Sequence, residues 1–147
     1  MSHSDAITKE RLPEFALAPT DYGWGGRFPG VELRTIFGQE VRVKIDTRAV
    51  PDEPKILPPV SERQAGLMRV IIPALPAILK RVEEAMVVDN VHDPDFRQFI
   101  RNPHIWLNSE EDDGESWTLV IERTDNHDFG YHTEFKGTKF VEIWAGD

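Results

Sequence analysis

Five histidines, twenty-six acidic residues and no cysteine are the raw material for chemistry in this chain. His132 and Glu134 are two apart in a stretch of alternating apolar and polar residues, so they share one face of a strand. His127 and Asp128 stand in the turn just before them. Nitrogen and oxygen donors of this kind suit a divalent metal, and a small metal-assisted hydrolase or ligand-binding protein using His132 and nearby carboxylates is one reading. Two further groups carry oxygen donors for a hard cation, Asp89-x-x-His92-Asp93-x-Asp95 and Asp112-Asp113-Gly114-Glu115. The first lacks the glycine and the closing glutamate of a calcium loop, and the second is not flanked by helical patterns. Polar residues alternating on the solvent face of a sheet account for His132 and Glu134 without any metal. No metal or cofactor is therefore assigned, and His132 is expected to face solvent.

Covalent catalysis finds less support. No serine stands in a Gly-x-Ser-x-Gly elbow, and Ser116 follows Gly114-Glu115, an acidic setting that offers no oxyanion donor. Without cysteine there is no thiolate nucleophile, disulfide or sulfur-ligated zinc. Gly23-Trp24-Gly25-Gly26 has the glycine density of a phosphate loop, but a strand pattern follows it where a helix would be needed. Tight turning is the simpler reason for those glycines.

The elements that must position these groups can be read from periodicity. Residues 1 to 13 are expected to be a flexible lead-in, 14 to 18 a short edge strand, and 21 to 30 a glycine-rich turn. Val31, Leu33, Thr35 and Phe37, then Val41, Val43 and Ile45, alternate with polar neighbours on either side of Gly38-Gln39-Glu40. That pattern predicts a β-hairpin over Val31 to Thr47 with one buried face. Pro51 to Pro59 is an extended connector. Ser61 and Gln64 then form a capping-box pair opening a helix to about Val88. Leu67, Ile71, Leu75, Ile78, Val82 and Met86 fall on its buried face, with Glu83 and Glu84 outside. Pro73 and Pro76 predict a kink or break. Four strands follow, at His104 to Leu107, Trp117 to Glu122, Phe129 to Phe135 and Thr138 to Trp144. They are separated by turns at Glu110 to Glu115, Thr124 to Asp128 and Lys136-Gly137. Tyr131 and Phe135 are expected on one strand face, and Phe140 on the same face as Trp144. The predicted fold is α+β: an antiparallel sheet, made of the N-terminal hairpin and the C-terminal meander, packed on one Pro-kinked helix in a single domain of residues 1 to 147.

At 147 residues, with 39% hydrophobic and 29% charged residues, the chain is long enough to bury roughly 69% of its extended surface. Its most apolar run, Val70 to Leu79, is about half a membrane span. The N-terminus has neither the basic flank nor the apolar run of a signal peptide, so a cytoplasmic location is expected. Charge is divided unequally. Residues 1 to 73 hold ten basic and ten acidic side chains; residues 74 to 147 hold seven and sixteen, and so carry the whole net charge of −9. Such a chain is not expected to bind nucleic acid or an anionic membrane, whereas a basic protein partner suits it. The acids concentrate at Glu110, Glu111, Asp112, Asp113 and Glu115, bracketed by Trp106 and Trp117, and these five are the candidate partner-binding residues. A turn needs only Asp113-Gly114, while clustered carboxylates project a field.

The order of a Gly-bounded hairpin (Val31 to Thr47), a Pro-rich connector, a helix opening Ser61-Glu62-Arg63-Gln64-Ala65-Gly66-Leu67 and a set of strands starting at Trp117 resembles small bacterial α+β domains, some encoded near toxin and immunity genes. The resemblance covers residues 31 to 144, implies the α+β fold and brings no catalytic residue. Together with the charge it suggests a noncatalytic protein-interaction module of immunity type, its acidic face meeting a basic partner.

Overall fold

The structure, a computed structural model, describes residues 3–28, 35–48, 57–108, 115–126 and 129–146. The first half of the expected hairpin (31–34), the centre of the connector (51–56), residues 110–114 of the acidic loop, and His127 and Asp128 lie outside the described residues. Among the described residues the architecture is α+β, with a mostly antiparallel sheet and two α-helices. In chain order the elements are α1 (His3–Arg11), β1 (Ala18–Pro19), β2 (Gly23–Arg27), β3 (Thr35–Ile36), β4 (Gln39–Glu40), β5 (Arg42–Asp46), α2 (Glu62–Asp89), β6 (Ile100–Leu107), β7 (Ser116–Arg123), β8 (Gly130–Lys136) and β9 (Lys139–Gly146). A short 3-10 helix, Phe96–Gln98, precedes β6.

The long helix begins where the capping box places it. Ser61 Oγ accepts from the Gln64 amide at 3.0 Å, and Gln64 Oε1 accepts from the Ser61 amide at 3.1 Å, satisfying two donors that the first turn leaves open. All six periodic positions, Leu67, Ile71, Leu75, Ile78, Val82 and Met86, are buried. The helix runs through Pro73 and Pro76 without a break. Both prolines lie on its exposed side, where water can serve the carbonyls they leave without a donor.

Seven strands form one sheet in the order β1-β2-β5-β6-β7-β8-β9, and β3-β4 form a separate two-stranded ladder. Every pair is antiparallel except β5 with β6, which run parallel in the register Arg42↔His104 to Ile45↔Leu107. The wholly antiparallel sheet expected from the sequence is thus corrected at its centre. A parallel pair needs a crossover of a dozen residues or more, and α2 supplies it between β5 and β6. The expected hairpin also divides: β3 and β4 turn tightly at Phe37 and Gly38, both with positive φ (49° and 77°), while β5 pairs with β2 instead.

Gly23–Arg27 is consequently a strand, contrary to the turn expected there. Its glycines serve close approach: a Cβ on Gly23 would lie 1.9 Å from the Ile45 carbonyl oxygen, and one on Gly26 2.8 Å from that of Ala16. The N-terminal residues His3–Arg11 form α1. Leu12 just beyond it is buried, Thr8 Oγ1 accepts from the Val60 amide at 3.1 Å, and Arg69 donates to the Arg11 carbonyl at 2.7 Å.

Alternate strand residues, among them Val43, Ile45, Ile105, Leu107, Trp117, Leu119, Ile121, Tyr131 and Phe135, join the buried face of α2 in one core. Trp117 and Phe135 stack there with centroids 4.4 Å apart. The residues between them turn to the other side of the sheet, called here the outer face, and it is there that the candidate chemistry lies.

Candidate functional site

Two cross-strand rows define the outer face. One runs Arg27, Arg42, His104, Val120, His132, Trp144; the next runs Lys44, Trp106, Thr118, Glu134, Glu142. His132 and Glu134 do share a face, as the two-residue spacing requires. Both are engaged by one side chain from the neighbouring strand. The Trp144 indole stacks on the His132 ring, with centroids 3.9 Å and planes 10° apart, and its Nε1 donates to Glu134 Oε2 at 3.0 Å. His132 is therefore half-buried rather than freely solvated, and burial pushes its pKa below the usual value despite the Gly146 backbone and the Glu134 charge.

Trp144 reaches this face through an irregularity in β9. Phe135 pairs with Phe140 and Glu134 with Glu142, leaving Val141 as an extra residue. That bulge reverses the alternation. Phe140 packs against the core while Glu142 and Trp144 turn outward, so the expected sharing of a face by Phe140 and Trp144 is corrected. Glu142 and Glu134 stand directly opposite each other. A hydrogen bond between them, and then their like charge, raises the Glu142 carboxyl above the ordinary range.

Towards the middle of the sheet His104 is 4% exposed, and its Nδ1 donates to the Asn102 carbonyl at 2.8 Å. Burial pulls its pKa down from 6.5 to about 4, so the ring is neutral near pH 7. A second bulge, between Arg101 and His104, holds Asn102 at φ 50° and admits Pro103 to the strand. Trp106 packs on Tyr22 with centroids 4.9 Å apart, and the Arg48 guanidinium stands 5.6 Å from the Tyr22 centroid. Neither His104 nor this aromatic pair was singled out from sequence. The signal for His104 was there, in a histidine inside an apolar strand run.

The other sequence candidates disperse. Glu110, Glu111, Asp112 and Asp113 lie outside the described residues. Glu115 is exposed, and its carbonyl accepts from the Gly137 amide at 2.9 Å, which places that end of the acidic loop beside the β8–β9 turn. Asp93, from the group spanning Asp89 to Asp95, pairs with Arg123 at 3.0 Å, and Arg123 also holds Asp125 at 2.7 Å and the Tyr131 hydroxyl at 2.8 Å. These bonds tie the end of α2 to β7 and β8. Among the described residues, no three His, Asp or Glu side chains converge as a metal site. No helix among them is long and apolar enough to cross a membrane.

No family model, no curated protein and no solved structure matches the chain.

Proposed function

We propose that this protein is a noncatalytic interaction module of the immunity type, acting in the cytoplasm and presenting acidic side chains to a basic protein partner. The observation that carries the reading is the Glu134–Glu142 pair. The two carboxylates stand directly opposed on neighbouring strands, where a hydrogen bond between them, and then the repulsion of their like charges, makes Glu142 hold its proton more tightly. Such an arrangement costs stability on its own and is relieved by an incoming cation. Glu115 lies beside the turn from β8 into β9, and with Glu110, Glu111, Asp112 and Asp113 it makes up the acidic run of the sequence that adds to this charge. In this reading α2, bent at Pro73 and Pro76, lies across the inner face and leaves the outer face for contact. The likeness to bacterial domains encoded near immunity genes agrees with the charge, and steering of the encounter is the physical role the acids serve.

The test is binding by the full chain as bait, compared with a variant carrying Gln or Asn at 110, 111, 112 and 115, at low and high salt. Basic partners held by the wild type at low salt should associate more slowly with the variant and be lost at high salt. An unchanged partner set in all four conditions would remove the proposal.

A further inference from the structure

The sheet ends in two edges of different kind. β1 is two residues long and includes Pro19, which has no amide proton to offer a neighbour. β9 is eight residues long and, among the described strands, pairs only with β8. Among the described residues none pairs with its outer side, so a row of amides and carbonyls faces outward there. Val141 on this edge is 56% exposed and Trp144 39%.

The geometry points to β9 as a docking edge for an extended basic segment of a partner protein, which would add to the sheet as an eighth strand beside Glu142 and Trp144. The inference rests on the acidic-module reading and names how the partner is held. Backbone ladder bonds would supply the generic affinity, and the side chains flanking the new strand would supply the choice. Residues opposed across an antiparallel pair stand about 5 Å apart, so a lysine or arginine of the added strand would face Glu142, with Glu134 one strand further in. The exposed indole of Trp144 on the same face offers the same cation an aromatic contact. An acidic strand would instead bring a third carboxylate to a pair already crowded with charge.

A second copy of the chain fits less well. The self-pairings that keep both cores on one side and overlap most of β9 set Glu142 opposite or diagonal to its own copy, and the Val141 bulge interrupts the ladder. The features that oppose self-association therefore favour a basic strand.

Hydrogen exchange on the full chain tests this with two blocked peptides, one of alternating valine and lysine, the other of alternating valine and glutamate. The lysine peptide should slow exchange in β9, and Glu142→Gln should weaken its binding roughly tenfold while circular dichroism shows the fold retained. Glu142→Lys should reverse the preference toward the glutamate peptide. Equal binding of both peptides, or protection at residues 109–115 with β9 unprotected, overturns the docking edge; the second result leaves the acidic-module reading standing. No response anywhere to the lysine peptide removes both. A concentration-dependent dimer protected at β9 without peptide overturns the inference in favour of a second copy.

Discussion

The indole of Trp144 lies flat on the imidazole of His132, centroids 3.9 Å apart, and at the same time donates a hydrogen bond to Glu134. One side chain from the edge strand thus occupies both groups whose spacing suggested metal chemistry. Stacking of this kind contributes about 0.5–1.5 kcal/mol beyond the area it buries. His132→Ala should therefore lower stability by about 1 kcal/mol in urea unfolding, and Trp144→Ala by as much or more. The thermal shift with zinc or manganese should not differ between wild type and His132→Ala. A metal-dependent shift lost in the mutant would move His132 and Glu134 to a metal-assisted function.

The buried histidine sets a pH dependence. His104 has a pKa near 6.5 in the unfolded chain and about 4 in the folded one, so the unfolded state binds the proton more readily. The associated stability is fully present above about pH 6.5 and is lost as pH falls toward about 4, to the extent of about 3 kcal/mol. His132, shifted the same way, adds to the same loss. Unfolding free energies measured across this range should fall less steeply for His104→Gln than for wild type. Parallel slopes would mean that the His104 ring is solvated.

Gln64 should be among the most sensitive polar positions. Its Nε2 donates to the Asp46 carbonyl at 2.8 Å and the Asn108 carbonyl at 2.9 Å, while its Oε1 closes the capping box. Gln64→Ala removes three bonds at a buried site and should cost about 2–4 kcal/mol. A loss below about 0.5 kcal/mol, the level of an ordinary surface substitution, would show that the ends of β5 and β6 hold without it.

Glu83 lies outside the apolar face of the helix, yet its Oε1 accepts from the Phe37 amide at 2.6 Å and fastens the β3–β4 turn to α2. Glu83→Ala should cost about 1–2 kcal/mol, against nearly nothing for the exposed Glu84→Ala. Equal effects of the two in denaturant melts would make the turn independent of the helix.

On the buried side of the same helix, Ile71→Ala and Ile78→Ala should each cost about 2–5 kcal/mol. Val70→Ala, at a half-exposed position, should be near neutral. Similar losses at Val70 and Ile71 would place the buried face of α2 elsewhere.

Local patterns were legible in the sequence because their causes are local. The recurrence of Leu67, Ile71, Leu75, Ile78, Val82 and Met86 follows the turn of one helix, and Ser61 and Gln64 close their box within three residues. The four strands after the helix, and the shared face of His132 and Glu134, follow from two-residue alternation in the same way. What depended on distant partners was decided only by the tertiary structure. The parallel pairing of β5 with β6 arises because α2 carries the chain back beside the strand it left. The strand at Gly23–Arg27 exists because it pairs with β5, and Gly23 is glycine because the Ile45 carbonyl comes too close for a Cβ there, a reason composition cannot distinguish from a turn. The face of Trp144 turns on one extra residue, Val141, which reverses the alternation in β9 and can be seen only once the β8 partners are known. Periodicity reports which residues share a face; register with a neighbour decides what that face meets.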